Sequence, residues 1–281
     1  MDERDPLVSV TWLKDHVEAP DIAVLDATWV PPFLKDRPNG KACYQNGHIT
    51  GAQYFDIDDI ADTASGLKHM LPSADVFAAK VGALGVSNTT RVIVYDSNTF
   101  FASARAWWMF RAMGHDEVYV LDGGLSAWKT GGGVLQTAQD APKPQSYTAP
   151  YRPDLVRNQS AMRAHVDKSD AKILDARAQG RFDGTGPEPR VDLPSGHMPG
   201  SFCVPATELL SHSGTMRSKP ELEPILGPFL DSPVVTSCGS GVSAAVISLA
   251  LARAGNWEAA LYDGSWSEWA ANSDNPIATV S

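Results

Sequence analysis

The sequence predicts an α/β protein of two tandem domains, each a doubly wound, mainly parallel sheet with helices on both faces. The first observation behind this is an internal repeat. "IAVLDATW" (22–29) matches "AKILDARA" (171–178), and "GHITGAQYFDI" (47–57) matches "GHMPGSFCVPA" (196–206), both at an offset of 149. "AMGHDEVYVLDGGLSAW" (112–128) matches "RAGNWEAALYDGSWSEW" (253–269) at an offset of 141. Three blocks recurring in one order mark a duplicated domain. The second observation is the alternation of short β-rich runs with helical stretches, which implies a parallel sheet covered on both faces. The third is "TGGGVLQTAQDAPKPQSYTAPYRPD" (130–154), which is rich in Gly, Pro and polar residues, lacks period and reads as a linker. Residues 1–135 are expected to form the first domain, 136–154 the connection and 155–281 the second, and the length suits two domains.

In the first copy, "IAVLDA", "RVIVYD" and "EVYVLDGG" are rich in β-formers and close on turn residues, so each predicts a strand. "SARAWWMFRAMG", between the last two, predicts a helix closed by Gly114 at its C′ position. In the second copy, "AKILDA" repeats the first strand and "SPVVTSC" is a short apolar strand running into Cys238. "AAVISLALARAG" is a small-residue helix closed by Gly255. Asp26 and Asp175 end matching strands in both copies, so they are read as turn-forming residues. Trp107, Trp108, Trp128, Trp266 and Trp269 fall at helix and loop positions suited to core or interface packing, not to base stacking.

Composition narrows the function. A net charge of −10 makes the chain a poor binder of nucleic acid or anionic membrane, so an anionic substrate needs local positive charge. No apolar run approaches the ~18–20 residues of a membrane span. The start "MDERDPLVSV" has neither the apolar core of a secretory signal nor the Arg-rich character of a transit peptide. A cytoplasmic, reducing location is expected, or a mitochondrial one for a precursor whose leader is removed. The three cysteines are Cys43, Cys203 and Cys238; an odd count without CxxC argues against a disulfide framework and a thiolate zinc site. The seven histidines show no HxH or HExxH spacing. Neither metal nor cofactor is expected, and a monomer is.

The chemistry is expected in "SPVVTSCGSGVSAAVISLALARAG" (232–255). Ligands of such sheets bind beyond the carboxyl ends of strands, where Cys238 stands. The first N–H groups of the following helix lack intrahelical partners, and the helix dipole favours negative charge. Gly239 and Gly241 let the loop curl its amides inward as an anion nest. Such a setting favours the thiolate, which is the nucleophile. A free cysteine is more often a buried core residue, but the strand–Cys–Gly-Ser-Gly–helix context shifts the reading to function. The first copy carries Asp96 or Ser97 at the matching place. Only the second copy has a thiol at this place, which points to one active and one structural domain with a site near their interface.

"CGSGVSA" and "LYDGSWSEW" in copy two resemble the tandem-domain rhodanese family of sulfurtransferases, and within it the 3-mercaptopyruvate branch. "DARAQGRFDGTGPEPR" and "GHMPGS" extend the resemblance, as do "GHITGA", "HMLP", "SARAWWMFRAMGH" and "LDGGLSAW" in copy one, so it covers nearly the whole chain. The resemblance implies two rhodanese domains with only the C-terminal one active. It implies transfer of sulfur from 3-mercaptopyruvate to Cys238 as a persulfide, with release of pyruvate. Thioredoxin, a small thiol, or cyanide then takes the outer sulfur. The amides of Gly239, Ser240, Gly241, Val242 and Ser243 would hold the anionic sulfur. Arg181 and Arg190 match arginines that hold the substrate carboxylate, which guanidinium groups grip by paired hydrogen bonds. Ser240, His48 and Asp36 match a proton relay. His197 recurs in copy two at the place of His48, so the competing reading of His48 is a structural pin.

The loop departs from the family at Ser243, where Thr is usual, and "GHITGA" carries Thr50 in place of Pro. The spacing from Asp36 to His48 also varies. Thiosulfate-preferring members carry a cationic loop such as "CRKGV"; here Gly239-Ser240 is neutral, which favours a substrate with a single carboxylate. Thiosulfate:cyanide sulfurtransferase is therefore the alternative enzyme, and a non-catalytic persulfide carrier the alternative outside catalysis. A tyrosine-phosphatase loop needs an arginine where this chain has Ala244, and a papain-like protease needs a different fold.

Overall fold

The computed structural model describes residues 5–31, 34, 36–97, 100–138 and 141–280. The first half runs β1 (Leu7–Val8), α1 (Val10–His16), β2 (Ile22–Asp26), α2 (Gly40–Asn46), β3 (His48–Ile49), β4 (Gln53–Tyr54), α3 (Ala74–Ala83), β5 (Arg91–Tyr95), α4 (Phe101–Ala112), β6 (Val118–Leu121), α5 (Gly124–Thr130) and β7 (Leu135–Gln136). The second runs β8 (Val156–Arg157), α6 (Gln159–Lys168), β9 (Lys172–Asp175), α7 (Gln179–Asp183), β10 (Phe202–Cys203), α8 (Lys219–Leu226), β11 (Val234–Ser237), α9 (Ala244–Ala254), β12 (Ala260–Tyr262) and α10 (Ser265–Trp269).

The first sheet has the order β1-β6-β5-β2-β4 and the second β8-β12-β11-β9-β10, all pairs parallel. The topology is thus the same in both halves, as the repeat requires. Strands covered on both faces need apolar residues at consecutive positions, and β5 and β11 are buried almost along their whole length. β3 and β7 form an antiparallel ribbon outside the first sheet, with His48 opposite Gln136. Its counterpart in the second half is a single bridge between His197 and Ala278. Polar side chains set the helix starts: Ser73 accepts from Val76 N–H to cap α3, and Ser218 with Glu221 forms a capping box on α8.

The two halves meet through α4 and α9, which pack against each other. Both helices are buried along nearly their full length, because each has its own sheet on one side and the other domain on the opposite side. One apolar core runs through both domains by way of Trp107, Trp108, Val246 and Ile247. Each large side chain removed from water there contributes about 1.5–3 kcal/mol. The Pro-rich connection lies along the first domain. Gln145 N–H donates to Gly82 C=O at 2.9 Å, Tyr147 packs among Phe77, Phe110 and His115, and Arg152 makes paired bonds of 2.7 and 2.6 Å to Asp116.

Candidate active site

β11 lies between β9 and β12, and its last residue, Ser237, registers with Asp175. In the first sheet the equivalent pair is Tyr95 with Asp26. The residue after each pair is therefore Cys238 in one half and Asp96 in the other, which decides between Asp96 and Ser97. The two differ in what they do to the helix that follows. The Asp96 carboxylate accepts from Phe100 N–H at 3.2 Å and Ser103 N–H at 2.8 Å, at the start of α4. The first copy thus spends its helix-terminal amides on its own side chain. In the second copy, no described residue accepts a hydrogen bond from the N–H groups of residues 239–243. Unpartnered amides at a helix start are the arrangement that an anion site requires.

The loop is held from its outer side by α10. Cys238 N–H donates to Ser265 Oγ at 3.1 Å, and its carbonyl accepts from Trp266 N–H at 2.9 Å. The Gly239 carbonyl accepts from Ser267 N–H at 3.0 Å and from the Ser267 hydroxyl. Gly241 has φ +77°, and a Cβ there would lie 2.6 Å from the Asp263 carbonyl oxygen and 3.0 Å from Arg105 Nη1. Only glycine fits this position without strain.

Cys238 is 1% exposed and forms part of the wall of a cavity of about 870 Å³ between the domains. Gly239, Ser240, Val242 and Ser243 line it with Cys238, together with Arg181 and Arg190 from the second domain. The first domain contributes Trp29, Asp58, Asp62, Lys68, His69 and Phe101 among others. A Cβ on Gly239 would meet Arg181 Nη2 at 3.1 Å and Arg190 Nη1 at 3.7 Å, so both guanidinium groups reach over the residue next to the thiol. The arginine expected there in a cationic loop would occupy the space they fill.

The two arginines are not equivalent. Arg181, on α7, makes paired bonds to Glu188, with Nη2 donating to Oε2 at 2.6 Å and Nε to Oε1 at 3.1 Å. Glu188 is 7% exposed and is held in turn by buried Arg177, whose Nη1 donates to Oε1 at 2.8 Å. Arg177 is anchored on Asp175 at 2.7 Å and on the Gly196 carbonyl, with its guanidinium 4.2 Å from the Trp266 ring centroid. Arg190 makes no ion pair among the described residues. The cavity therefore presents one compensated and one uncompensated guanidinium.

The relay anticipated through His48 and Asp36 is not assembled. His48 is fully buried within the β3–β7 ribbon, donates from Nδ1 to the Tyr44 carbonyl at 2.8 Å and stacks on the Tyr44 ring at 3.9 Å. His197 does the same in the second half, bonding the Phe182 carbonyl at 2.8 Å and stacking on Phe182 at 3.9 Å. The shared motif therefore builds a turn in both domains. Asp36 is exposed in a turn, and neither residue lines the cavity.

The histidine that does line the cavity is His69, in "HMLP". Its Nδ1 lies 2.9 Å from Asp58 Oδ1, and Trp29 Nε1 donates to Asp58 Oδ2 at 2.9 Å. The His69 ring beside it holds the Asp58 carboxyl below the usual carboxylate range. His69 has φ +65°. Counting back from the caps Ser73 and Ser218, its counterpart is Gly214, with φ +79°. A non-glycine residue in the left-handed region costs of order 1 kcal/mol and is a pointer to function. The sequence held a usable signal: His48 recurs in both copies, whereas His69 faces a glycine. Of the other thiols, burial pushes Cys203 up to about 12 and also raises Cys43. Among the described residues no group of His, Cys, Asp and Glu is placed to hold a metal ion, and no helix is long and apolar enough to cross a membrane.

Residues 9–130 and 158–272 each match the Rhodanese-like domain. The chain is 39% identical over 276 residues to the 3-mercaptopyruvate sulfurtransferase of Escherichia coli (strain K12), covering 97% of this chain and 98% of that protein. It is 37% identical over 300 residues to thiosulfate/3-mercaptopyruvate sulfurtransferase 1, mitochondrial, of Arabidopsis thaliana, covering 98% of this chain and 79% of that one. The crystal structure of SseA from Escherichia coli, described as a 3-mercaptopyruvate sulfotransferase, superposes with a TM-score of 0.84 at 37% identity over 93% of this chain and 99% of that one.

Proposed function

The chain belongs to the rhodanese family of sulfurtransferases, and from that premise we propose that it moves sulfur from 3-mercaptopyruvate through a Cys238 persulfide to a thiol acceptor, releasing pyruvate. The observation that carries this reading is the pair of guanidinium groups converging over Gly239, next to a thiol whose loop amides have no acceptor among the described residues.

In the first step the Cys238 thiolate attacks the sulfur of 3-mercaptopyruvate. A sulfur–sulfur bond forms and the carbon–sulfur bond breaks, its electron pair leaving on carbon as pyruvate enolate. The proton of the substrate thiol ends on the methyl carbon of pyruvate, so the atoms balance. Arg190 and Arg181 hold the carboxylate and so place the sulfur over Cys238. The amides of residues 239–243 stabilise the negative charge that passes from thiolate to persulfide. Ser240 lines the same cavity as His69 and Asp58, and these three carry the proton between substrate sulfur and enolate. In the second step an acceptor thiolate, from thioredoxin or a small thiol, or cyanide, takes the outer sulfur and returns Cys238 as thiolate. The cavity is large enough to admit a small thiol or cyanide. Transfer within a reducing compartment, cytoplasmic or mitochondrial, by a monomer suits this chemistry.

The neutral Gly239-Ser240 pair and the compensation of Arg181 by Glu188 favour a donor with a single carboxylate over doubly anionic thiosulfate. The deciding experiment follows pyruvate formation from 3-mercaptopyruvate with a thiol acceptor, beside thiocyanate formation from thiosulfate and cyanide, for wild type and Cys238→Ser. Strong pyruvate formation, weak thiosulfate use and loss of both in the variant are expected. A preference for thiosulfate would overturn the assignment of donor. Activity on neither donor, with persulfide still loaded on Cys238, would identify a carrier.

A further inference from the structure

The repeat gives every residue around the site a counterpart in the other half, so features that break the symmetry stand out. One cross-domain contact is symmetric. Leu71 N–H donates to Asp263 Oδ2 at 2.6 Å, and Met216 N–H donates to Asp122 Oδ1 at 2.9 Å. Asp122 and Asp263 match at the offset of 141, and Leu71 and Met216 match when counted from the helix caps. Each domain thus clips the other's loop with the aspartate that follows its β6 or β12 strand, and domain docking explains it.

On the side of the thiol, a further residue joins. Arg105, on α4, is fully buried, and its Nη1 lies 2.7 Å from Asp263 Oδ1. Nη1 also donates to the Gly241 carbonyl at 3.2 Å, Nη2 donates to the His69 carbonyl, and the guanidinium lies 4.4 Å from the Trp108 ring centroid. Aligning "SARAWWMFRAMG" with "AAVISLALARAG" puts Val246 at its place in the other half, and Asp122 makes no ion pair among the described residues. A buried ion pair is no better than packed apolar residues at holding two domains together, and the other half manages without one. The symmetry is broken together at Cys238 against Asp96, His69 against Gly214, and Arg105 against Val246.

We propose that Arg105 and Asp263 are positioning residues for sulfur transfer. Arg105 takes the carbonyl of His69 and Asp263 takes the N–H two residues later, so the pair fixes the left-handed backbone that presents the His69 ring to the cavity. Through the Gly241 carbonyl the same guanidinium ties this histidine to the catalytic loop. Neither residue's role requires contact with substrate; the domain that lacks the Cys238 counterpart supplies the histidine and Arg105, and the domain that carries Cys238 supplies Asp263. This inference rests on the reading of His69 as part of the proton relay.

The test is a double-mutant cycle on kcat, KM and the single-turnover rate of pyruvate formation from 3-mercaptopyruvate. The variants are Arg105→Lys, Asp263→Asn, His69→Asn and the two doubles with His69→Asn. Misplacement of a relay group by under 1 Å costs up to about 10²-fold in rate, so each clamp variant should lose at least about tenfold in kcat with KM within about threefold of wild type. In the His69→Asn background the same changes should cost less than about threefold further, because contacting groups are not additive. Equal losses in both backgrounds would overturn the proposal and leave a structural pair. Slow His69→Asn with fully active Arg105→Lys and Asp263→Asn would overturn it alone. A fully active His69→Asn would overturn the relay and the clamp together. If Arg105→Lys does not fold, the near-isosteric Asp263→Asn carries the cycle.

Discussion

Replacing Gly241 by alanine tests how tightly the Cys238 loop is wedged between the domains. Its φ of +77° costs an L-residue about 1–2 kcal/mol. The new methyl group would start 2.6 Å from the Asp263 carbonyl oxygen and 3.0 Å from Arg105 Nη1, where ordinary contact begins at 3.4 Å. Neither neighbour gives easily: one is backbone, and the other is a fully buried guanidinium in an ion pair. Overpacking of this kind costs about 1–3 kcal/mol. A total of about 3 kcal/mol should lower Tm by roughly 6–12 °C, at about 2–4 °C per kcal/mol for a chain of this size. The loop must move by several tenths of an ångström, so kcat for pyruvate formation should fall by up to about 10²-fold. Gly239→Ala is the control. Its methyl group meets only the ends of Arg181 and Arg190, and its backbone is not left-handed. It should keep Tm within about 3 °C, a change under ~1 kcal/mol, and act mainly on KM. Calorimetry and steady-state kinetics on both variants decide the matter. A Gly241→Ala protein with wild-type Tm and kcat would refute the wedge.

Arg190→Gln removes the uncompensated guanidinium and should lower kcat/KM for 3-mercaptopyruvate by about 10–100-fold, the worth of a charge-assisted hydrogen bond of about 1.5–3 kcal/mol; an unchanged kcat/KM would remove Arg190 from the site. His48→Gln should cost about 1–2 kcal/mol of stability through its lost bond to Tyr44 and leave kcat within about twofold, since removing a buried partner acts on the fold; a large loss of kcat at unchanged stability would return His48 to the relay. His115 is buried against the Thr90 carbonyl, and burial holds its imidazole below the ordinary range. The unfolded chain therefore protonates first as pH falls below ~6.5, so this contribution to stability is present above that pH and is lost below it, at up to ~1.4 kcal/mol per unit. Urea unfolding from pH 7.5 down to about 5.5 should show a shallower decline in His115→Phe than in wild type, and parallel declines would show that His115 stays unprotonated in both states.

The sequence by itself determined the two-domain α/β architecture, because duplication and the alternation of strand and helix patterns are written in local runs. It also determined the thiol and its neutral loop, since a strand, Cys238, Gly239-Ser240-Gly241 and a helix are consecutive residues. Arg181 and Arg190 lie in one short segment and were legible for the same reason, and the structure brings both over Gly239. Tertiary structure decided which histidine reaches the cavity. His48 sits in the more conspicuous motif, but that motif recurs in both halves because it folds a turn in each. His69 is brought in by a left-handed backbone and by contacts from α4 and the turn after β12, distant in the chain and invisible to any local pattern. The sharing of Glu188 between Arg177 and Arg181 was hidden for a like reason: which carboxylate neutralises which guanidinium depends on burial, and burial is settled only when the sheets, the helices and the second domain have packed.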